Sequence, residues 1–307
     1  MSILKVAKRA GVSKSTVSRV INDADSVKAS TREKVLATIK EMGYRPNVFA
    51  QGMKTNQSRT IALLIPDYSN PFFAALLAAI EKVLRPRNYM TMVFSGGVSE
   101  ESELAALQSL VSRRVDGLVF HSYDRHEKTL QLMREINAKL PVVLMDQITK
   151  NSDISGVFVD GFKGTRDAVS HLIGKGRKRI AYVDAHHGVT RDRFEGYRQA
   201  LADAGLALSE RYVYFGDFSM ESGLRASEYF LGLDPLPDAI VSATDNMAIG
   251  VMKGLLNKGI RVPEQINLIG YDNLAIAAMV EPSLSTIAIP IDDVVREVRR
   301  RLETAGR

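Results

Sequence analysis

The sequence predicts an α/β protein: a helix-turn-helix headpiece followed by two doubly wound parallel-sheet lobes. Three observations carry that expectation. Positive charge is confined to residues 1–60, where twelve Lys/Arg face four Asp/Glu for a net of +8, while residues 61–307 hold 29 basic and 31 acidic side chains, a net of −2. Short apolar runs alternate with amphipathic stretches over residues 60–272, the pattern of βαβ units on parallel sheets. Finally, "GVSKSTVSRVIN" at residues 11–22 gathers cationic and hydroxyl side chains on a frame of Val12, Val17 and Ile21. That stretch is too polar for a core helix and too rich in hydroxyls for an ordinary surface helix.

Length and composition set the bounds. A chain of 307 residues suits about two domains, and 45% hydrophobic with 25% charged residues is an ordinary globular balance. No run of 18 apolar residues is present, so no membrane span is expected. The N-terminus lacks an apolar core followed by a small-residue cleavage site, and a cytoplasmic, nucleoid-associated location is expected. The absence of Cys excludes disulfides, thiolate chemistry and a Cys-based zinc site. There is no Walker A loop, GxSxG elbow or HExxH, and "GKGRKR" at 174–179 has two of the three dinucleotide-fingerprint glycines. With five scattered His, neither an enzyme nor a metal or cofactor site is expected.

The elements follow in order. Leu4, Val6, Ala7 and Ala10 make a first apolar stripe, broken by Gly11. Ser13 is a good N-cap for a second helix running to about Asn22, with Thr16, Val17, Val20 and Ile21 inward. Residues 23–29 read as a loop. Ser30 and Glu33 form a capping-box pattern for a third helix, with Val35, Leu36, Ile39 and Met42 apolar and Gly43 as terminator. Residues 46–59 read as a polar, basic linker with one or two helical turns, between a 1–45 head and a 60–307 body. In the body, strands are predicted at 60–66, 89–95, 116–120 and 141–146, with helices at 72–85, 100–113 and 126–138. The pattern restarts at 156–160 and continues at 179–184, 212–216, 238–243 and 267–272, which gives two lobes with a cleft at the carboxyl ends of their strands.

A helix, a tight turn at Gly11 and a helix of small polar residues is a helix-turn-helix layout. Its second helix enters a DNA major groove, with Lys14 and Ser15 placed to read bases and Arg19 to reach a guanine or a phosphate. Thr16 and Ser18 suit phosphates, which fix register without reading sequence. A plain helical hairpin with a basic surface is the alternative.

"VAKRAGVSKSTVSRVIN", "STREKVLATIKEMGYRPN" and "IALLIPDYSNPFF" together resemble the lac/gal repressor family of bacterial transcription regulators, from residue 3 to about 300. The resemblance implies lobes of the periplasmic-binding-protein type and a role in DNA binding for Ser13, Lys14, Ser15, Thr16, Ser18, Arg19 and Asn22. It further implies that 47–53, "NVFAQGM", is a hinge helix that folds on the operator and wedges an apolar side chain into the minor groove. Met53 is the matching wedge, where the family usually has Leu, and Ala50 its small neighbour. Gln51 replaces a frequent Arg, and Lys5 a typical Asp. The chain ends at "RRRLETAGR", short of strands that the family usually adds.

Effector residues are implied in the same way: Asn70 and Phe72 after the first strand, Asp146, Asp160 and Asp272 at strand ends, Arg193, Phe218 as a ring over the ligand, and Thr244. Phe73 is expected in the core and Asp245 as a helix cap. Asp160 suits a cap equally well. A carboxylate accepts two hydroxyl hydrogen bonds, which suits a polyol, and an Arg fork binds hydroxyls or a carboxylate. His186, His187 and Arg191 near the mouth favour an anionic effector or are simply solvent-exposed.

The resulting expectation is a homodimeric repressor on a pseudo-palindromic double-stranded operator, its recognition helices about 34–36 Å apart. A small-molecule effector, a sugar or sugar acid, controls operator affinity. Two other readings stand beside it. One is a catabolite-type regulator using a phosphorylated phosphocarrier protein, met by Arg296, Arg299 and Arg300. The other is a sugar-binding transport receptor with the same two lobes.

Overall fold

The computed structural model describes residues 2–21, 26–44, 57–124, 126–145, 154–185 and 187–305. They fall into two compact units, Met1–Ser58 and Arg59–Arg307. The first contains α1 (Ile3–Ala10), α2 (Lys14–Ile21) and α3 (Ala29–Glu41). Val6, Ala10, Val17 and Val35 are completely buried at their shared centre. Gly11 closes α1 in the left-handed region, φ +63°, a conformation that costs a side-chain-bearing residue and not glycine. Two sequence expectations fail here. Leu4 is 61% exposed and Leu36 49%, their inward places taken by Ile3 beside Val6 and by Thr38 beside Val35. The Ser30–Glu33 box is also not formed, because α3 begins two residues earlier, behind Lys28, with no side-chain cap.

The second unit opens with β1 (Thr60–Ile65), whose "IALLI" is buried on both faces, as a central parallel strand requires. It is followed by α4 (Pro71–Leu84), β2 (Met90–Ser95), α5 (Glu100–Val111), β3 (Gly117–Phe120), α6 (Glu127–Asn137), β4 (Val142–Leu144) and β5 (Ser155–Gly156). The first sheet has the order β2-β1-β3-β4-β5, all parallel. The second lobe contains α7 (Gly161–Gly174), β6 (Ile180–Asp184), α8 (Arg191–Asp203), β7 (Val213–Phe215), α9 (Met220–Leu231), β8 (Ala239–Ser242), α10 (Asp245–Asn257), β9 (Asn267–Asp272) and β10 (Ser285–Ala288). Its sheet runs β7-β6-β8-β9-β10, the same winding as the first. The final helix, α11 (Ile291–Ala305), returns to the first lobe, where Lys82 meets Asp292 at 3.7 Å and Arg87 meets Glu303 at 3.3 Å. Val295 and Val298 of α11 are buried.

Two strand expectations are corrected. Residues 156–160 do not start the second sheet. β5 pairs with β4 in the first, and 157–160 cross to α7. The second sheet instead gains β10, which "STIA" did not signal because its exposed edge residues break the apolar run.

In each sheet the strand order reverses between its first and third strands, β1/β3 and β6/β8. Connections leave in opposite directions there, opening a crevice at the carboxyl ends. The loops after β1, β3, β6 and β8 are therefore the ones that can hold a ligand.

Helices α9 and α10 touch backbone to backbone. A Cβ on Gly250 would lie 2.0 Å from the Met220 carbonyl oxygen, and one on Gly223 would lie 2.0 Å from that of Met247. Gly250→Ala should therefore destabilise this unit by about 1–3 kcal/mol through overpacking, read as a lower urea midpoint. Gly174→Ala, with nothing within 4 Å of the added methyl, should stabilise α7 by about 0.5–1 kcal/mol. Equal midpoints for the two variants would contradict this packing.

Candidate functional site

On the head, the turn before α2 is held by a knot of hydroxyls. Ser13 Oγ accepts the Thr16 N–H at 3.1 Å, and its oxygen lies 2.7 Å from Ser15 Oγ and 2.8 Å from Thr16 Oγ1. Ser13 thus caps α2, a contact worth about 1 kcal/mol, and fixes the orientation of its first turn. Lys14, Ser15 and Arg19 are exposed, while Thr16 and Ser18 are half-buried. Neither Lys14 nor Arg19 pairs with another described residue, so both cations project from an apolar frame. Thr16 has its hydroxyl engaged by Ser13, which reduces its capacity for a phosphate. Asn22, Ala50, Gln51 and Met53, and with them the hinge helix, lie outside the described residues.

The body holds a cleft of about 310 Å³ between its two lobes. Asn70, Phe72, Arg193, Phe218, Thr244 and Asp272 all line it. Asn70 caps α4: its Oδ1 accepts the Phe72 N–H at 3.1 Å, and its Nδ2 donates to Tyr123 Oη at 3.0 Å. Thr244 caps α10 by accepting the Met247 N–H at 3.3 Å. Asp160 does not join them. It is exposed and caps α7, accepting the Lys163 N–H at 2.8 Å. Phe73 lines the cleft although it is 2% exposed. Asp146 and His186 lie outside the described residues.

Arg193 is the electrostatic centre. Its Nη1 donates to the Ala243 carbonyl at 2.5 Å, and its guanidinium carbon sits 3.8 Å from the centroid of the Tyr271 ring, within cation–π range. Beside it, burial pushes the Asp272 carboxyl up to about 8, the Arg193 charge pulling the other way and Asp245 adding to the rise. Burial holds His121 neutral, down at about 3, with Arg193 reinforcing the shift. At neutral pH the buried floor of the cleft thus carries little net charge apart from the guanidinium.

Asp245 is not the cap the sequence suggested. Thr244 has that role, and the Asp245 carboxylate, completely buried, accepts from the Leu274 N–H at 2.8 Å and the Thr286 hydroxyl at 2.6 Å. It ties the 272–274 turn to β10. Burial raises its pKa against these hydrogen bonds.

Sequence reasoning missed His121, Tyr123 and Tyr271. All three line the cleft, and the first two follow β3, where the strand-end rule applied to β1 points equally. Phe218 (φ +67°) and Asp272 (φ +117°) stand at positive φ, a costly conformation away from glycine that clusters at ligand sites. The Asn246 side chain holds the former by donating to the Phe218 carbonyl at 2.7 Å. On α11, Arg300 pairs with Glu297 at 2.6 Å, Arg299 with Glu303 at 3.6 Å, and Arg296 with Asp293. Each of the three is thus met by a carboxylate on its own helix.

Because Asp272 binds its proton more tightly folded than unfolded, its contribution to stability is present at low pH. It is lost as pH rises from the ordinary carboxylate value through about 8. The urea midpoint of the wild-type chain should fall relative to Asp272→Asn between pH 5 and pH 9. A wild-type-minus-variant difference that stays constant would exclude a raised pKa.

Comparison with known proteins agrees with this geometry. Residues 2–47 match the profile of bacterial regulatory proteins of the lacI family, and residues 58–298 match periplasmic binding proteins and the sugar binding domain of the LacI family. Catabolite control protein A of Priestia megaterium is 36% identical over 300 residues, 96% of this chain and 89% of that protein. Among solved structures, the lac repressor dimer bound to operator and the anti-inducer ONPF superposes with a TM-score of 0.89 at 28% identity, covering 99% of this chain and 92% of that one. A complex of the transcriptional regulator CelR with cellobiose gives 0.73 at 31%, covering 100% and 93%. A cationic helix on a capped turn, a cleft between two identically wound lobes, and matches to both family profiles lead to one conclusion: this chain belongs to the lacI family of bacterial regulatory proteins.

Proposed function

We propose that the chain is a homodimeric, cytoplasmic transcription repressor whose affinity for a pseudo-palindromic operator is set by a neutral sugar bound between its lobes. The observation that carries the ligand class is the setting of Arg193. Its guanidinium is already engaged by the Ala243 carbonyl and the Tyr271 ring, beside an Asp272 carboxyl that burial keeps largely protonated at neutral pH. A sugar acid would compete with these contacts for the guanidinium. A polyol can instead share these polar groups through hydroxyls while its ring face lies on Phe72. His187, expected at the mouth as a possible anion contact, is occupied by Asp124, with Nδ1 and Oδ2 2.5 Å apart. The volume of about 310 Å³ is at the small end of ligand pockets, roughly 300–1,000 Å³, and suits a compact sugar. The similar CelR structure is a complex with cellobiose.

On the DNA side, Lys14 and Ser15 read base edges, Arg19 reaches a guanine or a phosphate, and Ser13 and Ser18 fix register. Met53 and Ala50 act as the minor-groove wedge. Sugar binding changes the spacing of the two heads. Nothing in this reading calls for catalysis. A transport-receptor role is disfavoured by the regulatory-domain match over residues 2–47. The likeness to catabolite control protein A favours a second reading, a phosphocarrier co-regulator docking on α11. Its test is charge reversal at Arg300, which must abolish capture of the phosphorylated carrier.

Lys14→Ala should change base preference across an operator library, by about 1–3 kcal/mol at one position. An unaltered preference removes Lys14 as a reader. In a thermal-shift screen of neutral sugars, sugar acids, phosphosugars and nucleobases, a neutral sugar at 100 times its Kd should add about 2.7 kcal/mol to wild-type stability. Arg193→Ala should lose that response while keeping operator binding. A sugar acid or phosphosugar as the tightest ligand overturns the neutral-ligand reading.

A further inference from the structure

One edge of the cleft is closed by the protein's own side chains. Asp124, in the loop after β3, reaches from the first lobe to the second. Its Oδ2 lies 2.5 Å from His187 Nδ1, and its Oδ1 accepts the Gly188 N–H at 2.6 Å. Next to it, the Tyr123 carbonyl accepts the Val189 N–H at 2.9 Å. The Tyr123 ring stacks on Phe218 with centroids 4.3 Å apart, and His187 stacks on the same Phe218 ring, 5.4 Å away at 13°. Three hydrogen bonds and a three-ring cluster therefore cross between the lobes within a few residues.

Both halves are anchored behind. On the first lobe, the buried Glu103 carboxylate of α5 accepts from Ser122 and lies 2.9 Å from His126 Nδ1, while Asn70 holds the Tyr123 hydroxyl. On the second lobe, Asn246 holds Phe218. Pre-positioned partners lose little freedom on meeting, so the contacts favour closure more than the same groups on loose loops would. The Asp124–His187 contact alone would be modest, since both side chains are partly solvated. Its strength here comes from acting with the backbone bonds and the stack.

We propose that Tyr123 and Asp124 are positioning residues, the first-lobe half of a latch whose second-lobe half is His187, Gly188 and Phe218. The latch holds the cleft shut along one edge, and a ligand enters or leaves when it opens. Its effect on DNA rests on the sugar-responsive repressor reading above. Its existence does not.

The test is hydrogen exchange of the full chain, read at the Val189 amide, whose acceptor is a backbone carbonyl that no side-chain substitution at 124 removes. Asp124→Ala should speed exchange there by about tenfold or more, leaving β6 and β8 protected as before. Asp124→Asn, whose amide can accept from Gly188 and donate to His187, should restore slow exchange. Unchanged protection at Val189 in Asp124→Ala overturns the latch. A second variant guards against simple misfolding. A Cβ on Gly188 would lie 3.7 Å from Asp124 Cα, which keeps the two Cα atoms well inside the ~7 Å beyond which no disulfide can form, and the chain has no native Cys. The double variant Asp124→Cys, Gly188→Cys should oxidise readily and slow exchange at Val189, and failure to form that bond denies the contact. Operator affinity should then differ about tenfold between its oxidised and reduced forms. A locked protein with slow exchange but equal affinity in both states keeps the latch and overturns the coupling of cleft to DNA.

Discussion

A parallel sheet covered by helices on both faces leaves its carboxyl edge as the place where loops can meet a ligand, and this molecule depends on that constraint twice. Two sheets with the same winding turn their reversal points toward one cleft. Residues far apart in sequence, such as Asn70, His121, Gly188 and Thr244, come together because each follows a strand beside a reversal point. The crossing segments at 157–160 and 289–290 supply Val157, Val159 and Ile289 as the remaining wall. The site is thus a consequence of winding, and the side chains tune it.

That tuning is mainly electrostatic. A lone guanidinium in a low-dielectric cleft would be costly without partners. Here a carbonyl, a ring face and a carboxyl share it, and the cost of burying the carboxyl appears as a raised proton affinity at Asp272. Asp245, two hydrogen bonds deep behind it, holds the turn in which Asp272 and Asn273 stand at positive φ. Conformational strain and charge burial are concentrated in the same few residues, as expected where a binding surface is held ready.

Much of this was legible beforehand, for physical reasons that differ by element. Strands such as "TIALLI" and "NLIGYD" were readable because central parallel strands are buried on both faces. β10 was not, since an edge strand need not be apolar throughout. "GVFVD" was assigned to the wrong lobe because an apolar crossing segment has the composition of a strand, and only pairing reveals its side. Ser30 followed by Glu33 looked like a cap, yet α3 begins two residues earlier and uses neither. Among site residues, Arg193, Phe218 and Thr244 came from resemblance to a family. His121 and Tyr123 were within reach of the strand-end rule. The stacking of Tyr123 on Phe218 was not, because it depends on distances between lobes that no local pattern encodes.

The two lobes also differ in how the chain supplies them. The second is one continuous stretch, from α7 to β10, whereas the first is completed by α11, which arrives after the whole of the second. During synthesis the described elements of the second lobe are therefore all made before α11. The first lobe waits with the apolar surface that Val295 and Val298 will cover still open to water. Domains commonly fold as units in order of synthesis. Here the helix that covers this flank of the first lobe is encoded after the second lobe, so on a nascent chain that apolar flank stays uncovered for longer.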